Sequence, residues 1–85
     1  MARRGDTRGV ALPHLEEWRL SRAMSQQKLA ELSGVSRGAI GDAEQGGNMR
    51  ALNVGKIAAA LHITPVMLIY RRPAEEPIEA LARSL

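Results

Sequence analysis

From Ser25 to Gly46 the apolar residues Leu29, Ala30, Val35, Ile40 and Ala43, set among polar residues and glycines, can converge where two helices cross. This pattern predicts two short helices about a tight turn. The first runs from Gln26 to Ser33 and ends on Gly34, a residue free to adopt the left-handed conformation. The second is capped by Ser36 and runs to Gln45, and Ser25 is placed to cap the first in the same way. Upstream, Leu15 and Trp18 share a face in a helix expected from Pro13 to Ala23, with Leu20 on the same element and Met24 packing beneath it. Trp18 is assigned to the core.

Downstream, Gly46-Gly47-Asn48 marks a loop, after which Ala51, Val54, Ala58 and Leu61 follow the helical period with Ile57 beside them. His62 stands where that helix must stop, and histidine tolerates the left-handed conformation better than most bulky residues. Thr64-Pro65 supplies a cap and a first-turn proline for a helix to Tyr70. That helix is apolar nearly all round, so Leu68 is assigned to the core and Val66, Met67 and Ile69 to a subunit interface. Beyond the hinge at 71–77, bounded by Pro73 and Pro77, a short amphipathic tail helix carries Ile78, Leu81, Ala82 and Leu85. A helix this short is marginal alone in water, so it must dock on its own domain or on a partner subunit, or remain frayed; Ile78 and Leu81 join the expected dimer interface.

Composition narrows the options. The chain has 85 residues, no Phe and one Trp, which implies one small domain with an aliphatic core. With no Cys there is no disulfide or thiolate site, and His14 and His62 are isolated, so neither metal nor cofactor is expected. No apolar run reaches the length of a membrane span and the first residues lack the apolar core of a signal peptide, so a cytoplasmic, membrane-free location is expected. The net charge is +3, but from Leu15 to Tyr70 Arg19, Arg22, Lys28, Arg37, Arg50 and Lys56 are nearly matched by acidic residues. The excess sits mainly in residues 1–12, read as a flexible basic arm in which Arg3, Arg4 and Arg8 are placed to meet phosphate. The expected organisation is thus an arm over 1–12, a helical domain over 13–70 and a hinge with a tail helix over 71–85.

The two helices around Gly34 form a helix-turn-helix. Arg19, Met24-Ser25-Gln26, Leu29-Ala30, Gly34-Val35-Ser36-Arg37, Ile40, Glu44, Gly46, Ala58-Ala59-Ala60-Leu61 and Ile63-Thr64 together resemble the lambda-repressor/Cro-like, XRE-type helix-turn-helix family over about Leu15 to Ile69. The resemblance implies an all-α, compact five-helix DNA-binding domain, usually dimeric, with Arg19 and Glu44 as a structural ion pair. It further implies that Gln26, with Gln27 beside it, holds phosphate and supports base contacts. By the same resemblance Ser36 and Arg37 open the recognition helix, and Asn48 and Arg50 hold the DNA backbone. Arginine at position 37 suits bidentate pairing with guanine. Where relatives tend to carry Ser, Thr, Gln, Lys or Arg, the outward face here is Arg37, Gly38, Gly41 and Asp42. The two glycines cost the helix about 2 kcal/mol against alanine and offer no side chain to a base.

The expected function is a sequence-specific transcriptional regulator, a repressor that binds double-stranded DNA as a homodimer on a two-fold symmetric operator. The sparse recognition face and the surplus of apolar residues supply the alternative, an antitoxin-like or anti-repressor module that binds a protein partner. Enzymatic chemistry is not expected, because no histidine is paired with a nucleophile and no glycine loop has phosphate-cradle spacing.

Overall fold

The structure, a computed structural model, describes residues 9–75. Chain order is β1 (Gly9–Ala11), α1 (Leu15–Ser21), α2 (Gln26–Ser33), α3 (Arg37–Glu44), β2 (Asn48–Arg50), α4 (Ala51–Ala60) and α5 (Pro65–Tyr70), followed by a 3₁₀ turn at Pro73–Glu75. Within the described residues the helices expected from apolar spacing are present. Their caps agree as well: Ser25, Ser36 and Thr64 hydroxyls accept from the backbone N–H groups of Lys28, Ala39 and Met67. Gly34 ends α2 at φ 79°, and His62, at φ 61°, reverses the chain after α4. Ala23 takes the same left-handed conformation at φ 56°, so α1 stops at Ser21 rather than Ala23. It also starts later than Pro13 suggests, at Leu15, after a turn in which Leu15 N–H donates to Leu12 O at 3.2 Å.

The all-α expectation needs correction. β1 and β2 form an antiparallel pair with Gly9 opposite Arg50, Val10 opposite Met49 and Ala11 opposite Asn48. Residues 9–12 therefore belong to the folded body, not to a flexible arm, and Asn48 to Arg50 is a strand rather than the continuation of a loop. The physical reason lies in Val10, Met49 and Leu12. Met49 and Leu12 are buried and Val10 packs against the same core, so the strand pair closes one side of it. Gly9 permits the close approach, since a Cβ there would run into Asn48 Cβ. Three-residue strands are too short to show the alternation by which a strand is recognised in sequence.

The core joins Leu12, Leu15, Trp18, Leu29, Ile40 and Met49 to Val54, Ile57, Leu61 and Leu68, all nearly excluded from solvent. Its one aromatic residue, Trp18, is fully buried and satisfies its indole by donating Nε1–H to Arg71 O at 2.9 Å. The segment after α5 is thereby tied to α1, with Arg72 Nε 3.5 Å from Glu17 Oε1 as a second link. Arg22 lies over the Trp18 ring, 5.3 Å from its centroid, and donates Nε–H to Leu61 O at 2.9 Å. Of the described residues assigned to an interface, only Val66 is strongly exposed. Met67 and Ile69 are half-buried against the core, a consequence of α5 being a single short element lying on α4 and α1. Ile78 and Leu81, like Ala82 and Leu85, lie outside the described residues. Among the described residues no helix is long and apolar enough to cross a membrane.

Candidate nucleic-acid interface

α3 owes its orientation to one face. Ile40 and Ala43 are buried, Ala39 packs partly against the core, and Val35 in the preceding turn is buried beneath them. What remains points outward: Ser36, Arg37, Gly38 and Asp42 are exposed and Gly41 is half-exposed. A Cβ added at Gly38 would meet nothing within 4 Å. The exposed stretch is thus a helix surface carrying one cation and one carboxylate, with bare backbone between them. Ser36 is present at this surface, but its hydroxyl is occupied in capping α3 through Ala39 N–H.

The tie between α3 and the rest of the domain is an ion pair. Arg19 Nε donates to Glu44 Oε2 at 2.6 Å, Arg19 Nη2 donates to Glu44 Oε1 at 3.1 Å, and Arg19 Nη1 donates to Met24 O at 2.8 Å. The two side chains are 9% and 5% exposed, so this forked contact joins α1, the α1–α2 turn and the end of α3 away from water. The hydrogen bond to Glu44 raises the Arg19 pKa against the lowering effect of burial, and the charges of Glu44 and Glu16 add to the rise. This is the pair expected from the sequence resemblance.

Gln26 extends the same network, which spacing alone did not reveal. Its Nε2 donates to Glu44 Oε1 at 3.0 Å, so the first residue of α2 is held against the last residue of α3. Gln27 turns elsewhere, donating Nε2–H to Glu31 Oε2 at 3.3 Å on the exposed side of α2. Gly47 and Asn48 follow α3 directly. Gly47 N–H donates to Asp42 O at 2.8 Å, which folds the chain back under the helix end. Asn48 and Arg50 are exposed on β2, and Arg50 is also the residue from which α4 begins. Gly9, the first described residue, is paired with Arg50. Arg3, Arg4 and Arg8 lie outside the described residues. Gln26, Arg37, Gly38, Gly41 and Asp42 are therefore grouped at the α2–α3 unit, Asn48 and Arg50 stand on the adjoining strand, and Gln27 faces away along α2.

Among the described residues no group of three or more His, Asp or Glu side chains is arranged to hold a metal ion. A family model described as Helix-turn-helix matches residues 15–68, from the first residue of α1 to the buried Leu68 of α5. Comparisons with curated proteins and with solved structures give no match.

Proposed function

Because the chain belongs to the XRE-type, lambda-repressor/Cro-like helix-turn-helix family, we propose that this DNA-binding regulator is a sequence-specific repressor, acting as a homodimer on a two-fold symmetric operator. The observation that carries the reading is α3 itself, a helix anchored by Ile40, Ala43 and the Glu44 pair whose opposite face is exposed beside an exposed, basic strand end. In this reading α3 enters the major groove and Arg37 pairs with a guanine. Gln26, Ser36, Asn48 and Arg50 hold the sugar-phosphate backbone, Gln26 also supporting base contacts, with Arg3, Arg4 and Arg8 adding contacts from the arm; Gln27, bonded to Glu31, is left out of the contact set. Gly38 and Gly41 let the helix backbone approach the base edges closely, and Asp42 accepts from a cytosine amino group.

Selecting bound sequences from a random duplex pool, followed by salt titration of the winner, tests the proposal. A two-fold symmetric consensus and a steep fall in affinity with salt are expected. Arg37→Ala should relax preference at one base position of each half-site, whereas Arg50→Ala should weaken specific and random duplexes alike. No duplex binding at low salt would sink the regulator reading. It would favour the second one, a protein-interaction module, which is motivated by exposed apolar side chains at Leu20, Leu32, Leu52, Val66 and Tyr70.

A further inference from the structure

Gln26 is oriented by chemistry as well as by packing. The Glu44 carboxylate, whose side chain is 5% exposed, has only acceptor atoms, so the amide nitrogen of Gln26 must face it and the carbonyl Oε1 must face away. Glu44 cannot swing to follow another partner, because two Arg19 hydrogen bonds hold its two oxygens. The amide is thereby fixed against α3 at one place. A Cβ built on Gly41 would lie 3.9 Å from both Nε2 and Oε1 of Gln26, so the amide lies alongside the bare backbone at the position a side chain of residue 41 would start from.

We propose that Gln26 is a base-reading residue of this chain and that the base it reads is adenine. The inference rests on the DNA-binding reading above and takes Gln26 beyond the phosphate-holding and supporting role given there, to direct contact with a base. With one N–H engaged by Glu44, the amide retains one N–H donor and a carbonyl acceptor. The major-groove edge of adenine offers the complement, an acceptor at N7 and a donor at the N6 amino group. In a recognition helix with a glycine at position 41, no side chain of that residue stands between the amide and the groove. Arg19 and Glu44 then act as positioning residues, since they aim the amide without touching the base. The reader is supplied by α2 and the space for it by α3.

The test uses the full chain and the duplex recovered by selection. Each adenine is replaced singly by purine, which lacks the N6 amino group, or by 7-deazaadenine, which lacks N7. At one adenine per half-site each replacement should weaken wild-type binding by about tenfold, the loss of one base contact. Gln26→Ala should bind the parent duplex about tenfold to a hundredfold more weakly and be indifferent to both replacements at that adenine, while still responding at other positions. Gln26→Lys keeps a donor for Glu44 but has no acceptor, so it should fold and also lose the adenine preference. If wild type tolerates both analogues at every adenine, or if the Gln26 variants weaken all duplexes uniformly and keep wild-type sensitivity to the analogues, Gln26 holds phosphate only and the proposal falls while the regulator reading stands. If wild type binds no duplex at low salt, the regulator reading itself fails and carries this one with it.

Discussion

Replacing Gly38 and Gly41 with alanine should stabilise the protein and weaken its DNA binding. Both glycines lie inside α3, where glycine costs about 0.8 to 1 kcal/mol relative to alanine. A methyl group at position 38 meets open space, and at position 41 its nearest neighbours are the Gln26 amide atoms at 3.9 Å, ordinary contact. No packing penalty opposes the gain, so the double variant should be about 2 kcal/mol more stable, a rise in Tm of about 8 to 16 °C for a domain of this size. Two comparison variants set the sign. Gly55→Ala, in α4 with nothing within 4 Å, should gain about 1 kcal/mol and leave DNA affinity unchanged. Gly47→Ala should lose about 1 to 3 kcal/mol, because its Cβ would stand 2.9 Å from Asp42 O, a backbone atom that also accepts the Gly47 N–H. Thermal unfolding followed by circular dichroism reads the stabilities, and titration of the selected duplex reads the affinity. The two α3 methyl groups should cost about tenfold in affinity, the size of one base contact, by holding the helix off the groove. A lowered Tm for the α3 variant would refute the placement of these glycines on an open face. A raised Tm with wild-type affinity would refute the close approach of the backbone to DNA.

Glu44→Ala should destabilise the fold by about 3 to 5 kcal/mol, because the Arg19 guanidinium stays buried without its carboxylate; denaturant unfolding measures it, and a loss under about 1 kcal/mol would contradict the pair's structural role. Arg19 has a raised pKa in the folded state, so its stabilisation is complete below the unfolded pKa and is lost only as pH rises through the still higher folded value. The gap between wild type and Glu44→Ala should therefore not change through Arg19 between about pH 6 and 9. For the proposed homodimer, Val66→Glu with Tyr70→Glu alters side chains that are 59% and 73% exposed, so stability should change by no more than about 1 kcal/mol for the pair while sedimentation mass falls to that of a monomer. An unchanged mass would remove α5 from the interface. Met67→Glu with Ile69→Glu is the poorer probe, because both side chains pack against the core and their substitution should unfold the domain.

The parts legible in sequence were those with local causes. Ser25, Ser36 and Thr64 caps, the Gly34 stop and the Thr64-Pro65 start all depend on residues within three positions of each other, and each is found where the pattern puts it. The Arg19–Glu44 pair spans 25 residues, and its expectation rests on the opposite charges carried by α1 and α3 and on the family resemblance rather than on a local pattern. Pairing of β1 with β2 could not come from either source. Val10 and Met49 are single apolar residues on strands of three, and what joins them is a shared position on a core that exists only once α1 and α4 have packed.

The same distinction explains why the orientation of Gln26, expected by resemblance to hold phosphate and support base contacts, is not legible in sequence. Sequence places it at the head of α2, where a glutamine needs no further reason to be present. Only the folded chain brings it to Glu44, and only the carboxylate decides which end of its amide faces outward. The near-empty face of α3 then has a physical reading beyond the loss of side chains. A missing side chain at Gly41 leaves the space beside an amide already aimed by a buried ion pair. On the proposed reading, specificity is a property of the α1–α2–α3 network taken together, and a change at Arg19 or Glu44, remote from any base, should alter which duplex is preferred as well as how stable the domain is.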